Sequence, residues 1–266
     1  MKFLKSLTVI VSCIVLSGCS QPAVYTKPKI ESTAYSEKVI KVDQPLDLEL
    51  VCDYGNIEMY SWDKPEVKFE MKKRVRGTQE RVQLDEKLKD FKIDTKQAGA
   101  KVTFTAEYTG SIKSSEDKLL DLRVYIPKQV KGISQKMEKG YIKFQDDLRC
   151  LLNIEAKTAQ VDINRIDGAV KLNVGTGNVK IGSGRIKADS EIVVNLGNIY
   201  AKCQYDNKVK CRYETSTGNV ELFLPSDFQN GIDYMGTIEV NEFPAMKRDK
   251  NLTVKSGVGN ISLRKF

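Results

Sequence analysis

Short stretches of alternating apolar and polar residues recur along most of this chain. Leu46, Leu48 and Leu50 alternate with charged residues, and the same pattern covers 101–108 and 120–126. A period of two is typical of strands that bury one side and expose the other. The pattern therefore predicts an all-β fold.

A Gly-Asn pair followed by a further alternating stretch returns along the chain. Weaker copies lie at Gly140, Ala159 and Gly236, and from Gly140 onward successive copies are 18 to 23 residues apart. Repeats near 20 residues are the signature of stacked coils, so we expect a single-chain β-solenoid with coils of about 20 residues. The full Gly-Asn copies are Gly55-Asn56, Gly177-Asn178, Gly197-Asn198, Gly218-Asn219 and Gly259-Asn260.

Each Gly-Asn pair is interpreted as a structural corner between two strands of one coil. Glycine adopts backbone angles that other residues avoid, or lets the next coil approach closely. Asparagine side chains at successive corners are expected to form a ladder by bonding to one another or to freed backbone groups. The residues expected to face water after the corners are Lys180, Tyr200, Glu221 and Ser262. A calcium or sugar site at the corners is the alternative, but calcium-binding β-rolls need repeated Asp, so no metal site is predicted.

One segment, 78–91, has the pattern of an amphipathic helix. Thr78 is a suitable N-cap residue, and charged residues fill the positions between the apolar ones. A short helix on one sheet, or over the end of the coils, would protect an open edge from pairing with other chains. The expected apolar face consists of Leu84, Leu88 and Phe91, with Val82 beside it.

The first residues have the features of an export signal. A basic start and a short apolar run end in Leu16-Ser17-Gly18-Cys19, which resembles the bacterial lipoprotein signal motif. The resemblance implies cleavage before Cys19 and a diacylglycerol on its sulfur, and Ser20 implies the outer membrane in a diderm bacterium. An ordinary secretory signal or an uncleaved anchor are the alternatives.

These features divide the chain into three parts. Residues 1–18 form the predicted lipoprotein signal peptide, and residues 19–43, which contain prolines and no sustained period, form the lipidated N-terminus and a flexible tether. Residues 44–266 form the predicted β-strand repeat domain.

The chain is moderately basic, with a formal net charge of +8 that falls to +6 if Lys2 and Lys5 leave with the signal. The densest cluster is Lys72-Lys73-Arg74 with Arg76. Such an excess favours anionic lipid headgroups or an anionic envelope polymer as partner, or it reflects a solvated strand face. No nucleic-acid motif is present.

Trp62 is interpreted as a cap on the core edge, with a ligand platform as the alternative.

Four cysteines follow Cys19, and their strand positions suggest two disulfides. Cys203 and Cys211 lie on either side of a predicted bend with side chains on the same interior face, and Cys52 and Cys150 are a second candidate pair. An oxidising envelope favours such bridges. The alternative is four buried, reduced thiols.

The chain has no histidine, which excludes Ser-His-Asp and Cys-His catalysis and His-ligated zinc. No cofactor-binding fingerprint is present. Carboxylate chemistry remains open, but the doublets Glu116-Asp117 and Asp146-Asp147 are better explained as solvated turn residues. No catalytic or cofactor-binding residue is therefore predicted.

The repeat resembles the bacterial "putative adhesin" family, also called Toastrack-like β-strand repeat domains. The motifs that carry the resemblance are Thr176-Gly177-Asn178-Val179, Thr217-Gly218-Asn219-Val220 with Leu224-Pro225 after it, and Gly259-Asn260-Ile261. Gly140-Tyr141 and Ala159-Gln160 depart from the pattern. The resemblance covers about residues 44–266 and implies a compact β-solenoid, in a family that mostly lacks an assigned biochemical activity.

Three functions remain open at this point. The first is a non-catalytic envelope lipoprotein with a structural, adhesion or binding role, which predicts an exposed aromatic or basic patch that includes Tyr200, Tyr205 and Tyr213. The second is an accessory protein in envelope-stress sensing through a protein partner. The third is a carbohydrate-active β-helix enzyme, which predicts two facing carboxylates in a groove. The sequence does not indicate an oligomeric state.

Overall fold

The computed structural model describes residues 27–43, 45–111, 116–243 and 250–266, and in these ranges the chain is almost entirely strand. One helix is present in the described part. In chain order the elements are β1 (Ile30–Lys41), β2 (Leu46–Trp62), β3 (Glu66–Gly77), α1 (Arg81–Leu88), β4 (Phe91–Ala98), β5 (Lys101–Tyr108), β6 (Asp117–Pro127), β7 (Val130–Leu148), β8 (Leu151–Thr176), β9 (Val179–Ile186), β10 (Ser190–Leu196), β11 (Ile199–Lys202), β12 (Gln204–Tyr205), β13 (Cys211–Thr217), β14 (Val220–Leu224), β15 (Gly231–Asn241) and β16 (Lys250–Lys265).

Most neighbouring strands are parallel and form two faces that meet at the corner glycines. The first face contains β10, β13 and the parts of the long strands β2, β7, β8 and β16 that precede a corner. The second face contains β9, β11, β14 and the parts of the long strands that follow a corner. The apolar residues that alternate inward from both faces form one core, as the period of two predicted.

A continuous row of buried apolar residues crosses the second face. Val161 pairs with Val179, Val179 with Ile199, and Ile199 with Val220. The partners are 18, 20 and 21 residues apart, so the corner repeat of the sequence sets the register between neighbouring strands. Each of these side chains is at most 2% exposed, which places the core directly behind the corners.

The order of the strands at both ends differs from the simple succession that the repeat predicted. Ile261 of β16 pairs with Val220 on one side and with Ile238 of β15 on the other. The last strand of the sequence is therefore not the last in space. At the other end, Ile57 of β2 lies between Ile142 of β7 and Leu122 of β6.

The predicted tether is wrong from Ile30 onward. Residues 30–41 form β1, which pairs antiparallel with β3 along its whole length. Because β1 is an edge strand and most of its side chains are exposed, its stability depends on backbone hydrogen bonds, and apolar alternation is not required. Cys19, the signal peptide and the rest of the tether before residue 27 lie outside the described residues.

The helix is shorter than predicted, and Glu80 rather than Thr78 is its N-cap residue. Leu84 and Leu88 are buried, whereas Val82 is 71% exposed. Phe91 is buried as predicted but begins β4, whose backbone pairs with β5. The helix packs on β1 and β3 and so covers the sheet at its N-terminal end.

Candidate functional site on the second face

The corner glycines are structural, as the sequence predicted. Gly177, Gly197, Gly218 and Gly259 have φ angles of 137°, 144°, 145° and 140°, which favour glycine. They are also in close contact, because a Cβ on Gly197 would lie 1.8 Å from the carbonyl oxygen of Gly177. Gly55 lacks a positive φ, although a Cβ there would lie 2.6 Å from the oxygen of Leu120.

The expected asparagine ladder is present and runs through the backbone. The backbone N–H of Asn198 donates to Oδ1 of Asn178, and the same 2.8 Å contact joins Asn219 to Asn198 and Asn260 to Asn219. Gln160 takes the first position, since its Oε1 accepts from the N–H of Asn178 at 3.1 Å. Asn56 instead donates from Nδ2 to Asp121, 2.9 Å away.

The outer surface of the second face carries rows of charged residues. The register places Arg123 opposite Glu70 and Glu58, then Lys143 beside Glu58 and opposite Asp162. Lys180, Tyr200 and Glu221 continue this row outward, as predicted. Ser262, which was also predicted to face water, is only 6% exposed, because β15 lies beside it and Glu239 accepts a hydrogen bond from its hydroxyl. Alternating signs on neighbouring strands stabilise the pairing.

Aromatic side chains on the outer strand surfaces are confined to the second face. The outward positions of β2, β7, β8, β10, β13 and β16 on the first face carry none within the described ranges, as on β13, where they are Arg212, Glu214 and Ser216. Tyr234 of the edge strand β15 is 46% exposed, but it pairs with Val254, whose side chain faces the core. This asymmetry distinguishes one surface of the protein from the other. The outward aromatic residues of the second face and its edge are Tyr35, Tyr60, Trp62, Tyr125, Tyr141, Tyr200 and Phe223.

Three of these rings form a cluster on β2 and β6. Tyr60 stacks on Tyr125 with ring centroids 5.3 Å apart, and Trp62 tilts against Tyr125 at 5.4 Å. Trp62 donates its indole N–H to the oxygen of Glu66 at 2.7 Å, and the ammonium of Lys64 lies over its ring. Trp62 therefore lies on the outer surface and does not cap the core edge.

A groove with a volume of about 710 Å³ lies beside this cluster, across β1, β3, β6 and β2. Met71 and Leu122 lie in its floor with their side chains turned into the core, and Tyr35, which is 72% exposed, stands at its edge. The polar residues that line it are Ser36, Glu37, Asn56, Glu58, Glu70, Lys72, Asp121 and Arg123.

Hydrogen bonds tie the groove to the ring cluster. The Tyr60 hydroxyl donates to Glu58 at 2.8 Å, and the Tyr125 hydroxyl donates to Glu70 at 3.4 Å. Burial and the bond to Glu58 raise the pKa of Tyr60. The charge of Glu58 raises the pKa of Arg123, whose Nε lies 3.4 Å away. The groove is thus lined by fixed, charged hydrogen-bonding groups.

The predicted patch of Tyr200, Tyr205 and Tyr213 does not form. Tyr200 faces outward and packs on Phe223 with ring centroids 5.4 Å apart. Tyr213 is only 1% exposed, and its hydroxyl bonds to that of Tyr205 at 2.9 Å inside the protein. Cys211 was predicted to face the interior, and Tyr213, two residues further along β13, lies on the same side of the strand and is therefore also in the core.

All four described cysteines are buried and free, so neither predicted disulfide is present. Cys203 and Cys211 do face the interior, and burial raises the pKa of each thiol to about 12. Cys52 pairs with Met137, whose partner is Ala156. Ala156 lies six residues along β8 from Cys150, which is too far for a bridge.

Glu116 is not a solvated turn residue. Its side chain is fully buried and binds Lys87 of α1 and Gln79, with Lys118 at 3.5 Å. Burial raises the pKa of Glu116, but the bonds and charges of Lys87 and Lys118 outweigh this effect, so the net shift is downward. The neighbouring Asp117 is exposed and pairs with Lys29, and Asp146 accepts from the N–H of Ser61 at 2.7 Å.

Among the residues that the structure describes, no three or more His, Cys, Asp or Glu side chains come together as a metal site. In the same ranges, no helix has the length and apolar character to cross a membrane.

Comparison with known proteins gives structural neighbours only. No protein-family model and no curated protein matches the chain. A "putative adhesin" from Bacteroides fragilis is 14% identical over 86% of this chain and 97% of its own, with a TM-score of 0.39. A "putative adhesin" from Parabacteroides distasonis is 10% identical over 84% and 97%, with a TM-score of 0.39. A "putative cell adhesion protein" from Clostridium sporogenes is 14% identical over 88% and 100%, with a TM-score of 0.35.

These names agree with the family resemblance that the Gly-Asn repeat predicted. At such identities and TM-scores the similarity carries no inference about activity or ligand. The function must therefore be argued from the groove and the aromatic surface of this chain.

Proposed function

We propose that this protein is a non-catalytic binding module of the cell envelope, which presents the outer surface of its second face to a partner. The observation that carries the proposal is the confinement of outward aromatic side chains to that face, beside a groove of about 710 Å³. Aromatic residues are enriched where proteins bind partners and ligands. The opposite face, with charged and small residues, serves as a solvated surface.

The scaffold of this module is, in our proposal, a β-solenoid of about 20-residue coils. Its support is the register, in which equivalent residues of neighbouring strands are 18 to 21 residues apart. The glycine stack and the asparagine ladder repeat at the same positions. Such a scaffold holds outward side chains in fixed rows, which suits an extended binding surface.

We further propose that a lipid on Cys19 anchors the module on the extracytoplasmic side, at the outer membrane in a diderm bacterium. The support is the Leu16-Ser17-Gly18-Cys19 motif after a basic, apolar segment. Cys19 and Ile30, where β1 begins, are 11 residues apart. At about 3.5 Å per residue, the intervening chain can span about 40 Å. The variant Cys19→Ala should be released from membranes or remain unprocessed, and unchanged membrane retention would refute the anchor.

Crosslinking in cells tests the binding role. A photo-crosslinking amino acid is placed at Tyr35 in the groove or, as the matched control, at Leu151, which is 46% exposed on the first face. We expect a discrete crosslinked product from position 35 and none from position 151. Equal labelling from both positions, or none from position 35, would contradict a binding surface on the second face.

A further inference from the structure

We propose that the groove across β1, β3, β6 and β2 binds an uncharged oligosaccharide. This inference rests on the proposed binding function and names the class of its ligand. Three properties of the groove lead to it, namely an exposed aromatic wall, balanced charges, and a lining of paired hydrogen-bonding groups.

Tyr35 supplies the aromatic wall. It is 72% exposed, and Lys72, whose ammonium lies 5.3 Å from the ring centroid, holds it against the groove. A sugar ring has an apolar surface of C–H groups, and a flat aromatic ring with a polar hydroxyl is suited to pack against it. Tyr35 does not pack into the core, because it is exposed and its partner on β3 is the charged residue Lys72.

The charges around the groove cancel. Lys68 bridges Glu37 and Glu70 at 3.1 and 2.8 Å. Arg74 pairs with Asp121, and Arg123 with Glu58. The groove lining holds four carboxylates and two cations, Lys72 and Arg123, and Lys68 and Arg74 compensate the other two charges from beside it. Arg74 also lies 3.8 Å from Glu31, so the surface offers no excess positive charge to an anionic polymer or headgroup. An uncharged ligand fits this balance.

These ion pairs also supply the hydrogen-bond donors and acceptors that the hydroxyl groups of a sugar need. A hydroxyl donates one hydrogen bond and accepts others, and each carboxylate here lies beside a cationic donor. The Tyr60 and Tyr125 hydroxyls fix Glu58 and Glu70 from the side, which reduces the entropy lost on binding. A peptide would need pockets for apolar anchors, whereas Met71 and Leu122 in the floor are at most 6% exposed.

The groove volume of about 710 Å³ lies within the range of about 300 to 1,000 Å³ typical of small-ligand sites. The site is therefore large enough to hold a short oligosaccharide.

The test uses the full chain, purified in detergent, on a glycan array that contains neutral and anionic oligosaccharides. Titration calorimetry with the strongest neutral glycan then gives its affinity. We expect binding to neutral glycans, with an affinity that changes by less than about twofold between about 0.05 and 0.5 M NaCl, because an uncharged ligand is not screened. Binding of anionic glycans alone, or of no neutral glycan, would overturn the proposal.

Variants locate the site. Tyr35→Ala should lower the affinity about tenfold, equivalent to about 1.4 kcal/mol, and Tyr35→Phe should retain most of it because the ring remains. The control Leu151→Ala, on the first face, should bind as the original chain does. An equal loss in the control would place the binding elsewhere. If no neutral glycan binds but position 35 still gives its crosslink in cells, the glycan inference fails and the binding function stands; if both fail, both are refuted.

Discussion

The side-chain oxygen of Asn178 accepts a 2.8 Å hydrogen bond from the backbone amide of Asn198 at the next corner. The same bond recurs at the two following corners. Each asparagine thus satisfies a backbone donor that lies beyond its own strand. The ladder therefore couples neighbouring strands at the point where each chain segment turns from the first face to the second.

Asn198→Ala should destabilise the protein by about 1 to 2 kcal/mol, because it leaves the backbone N–H of Asn219 without its acceptor. Chemical denaturation followed by circular dichroism measures the change. Asn195→Ala, an exposed asparagine on β10, is the matched control and should change stability by less than about 0.5 kcal/mol. Equal stability of the two variants would show that the ladder bonds do not contribute.

Gly218→Ala should prevent folding or cost more than about 4 kcal/mol. The φ angle of Gly218 is 145°, and the new Cβ would lie 2.0 Å from the carbonyl oxygen of Gly197. Gly132→Ala is the control, since its nearest neighbour would be 3.6 Å away, and it should be neutral or slightly stabilising. Soluble yield and the denaturation midpoint are the measurements. A normally folded Gly218→Ala chain would contradict the close stacking of the corners.

Gln135→Leu should stabilise the protein by about 1 to 3 kcal/mol. Gln135 is 0% exposed, lies between Leu50 and Ile154 in register, and neither polar atom of its amide has a hydrogen-bond partner. Thermal unfolding shows the gain as a higher midpoint. The same change at Gln145, which is half-buried and faces outward on β7, should have little effect. A destabilised Gln135→Leu variant would mean that the amide is satisfied in solution.

Glu116→Gln should destabilise the protein by about 3 kcal/mol at neutral pH, because it leaves the buried ammonium group of Lys118 and the half-buried one of Lys87 uncompensated. The control Asp117→Asn removes an exposed ion pair and should cost less than about 1 kcal/mol. Denaturant titrations of both variants at pH 7 separate the two outcomes. A loss in Glu116→Gln no larger than in the control would contradict a buried ion cluster.

The pH dependence of stability follows from the same carboxyl. The pKa of Glu116 is lower in the folded protein than its ordinary value of 4.5. Its stabilising contribution is therefore complete above pH 4.5 and is lost as the pH falls through the folded pKa. The original chain should lose stability more steeply than Glu116→Gln below pH 4.5. Parallel curves would refute the lowered pKa.

The inward side of the fold was predictable because it depends on local periodicity. Val179, Val220 and Ile261 are buried as their parity indicated, and the corners from Asn178 to Asn260 bond as expected. The strand order at the two ends of the sheet was not predictable, because the repeats resemble one another. The sequence around Ile238 and Ile261 does not indicate that β15, and not β16, is the outermost strand.

The candidate site was only partly predictable. The outward rows around Tyr200 followed from parity, but the groove joins β1, β3, β6 and β2, which are distant in sequence, and β1 itself lacks apolar alternation. The position of Trp62 after a turn favours a cap on the core edge, although its parity, opposite to Ile57 and Met59, indicates the outer surface. Glu116 was predicted to be solvated and is instead buried. The doublet Glu116-Asp117 carries no local sign that Lys87 and Lys118 pair with Glu116.

The position of β2 and β16 inside the stack has a consequence for the time course of folding. As the chain is synthesised from its N-terminus, β2 cannot complete its pairing until β7 has emerged, and β13 and β14 lack a neighbour until β16 has emerged. The contacts of these strands are long-range, which slows folding. A chain stalled or cut short before β16 would leave Val220, the last member of the apolar row, at an open edge, so an unfinished chain differs from a finished one in its exposed apolar surface.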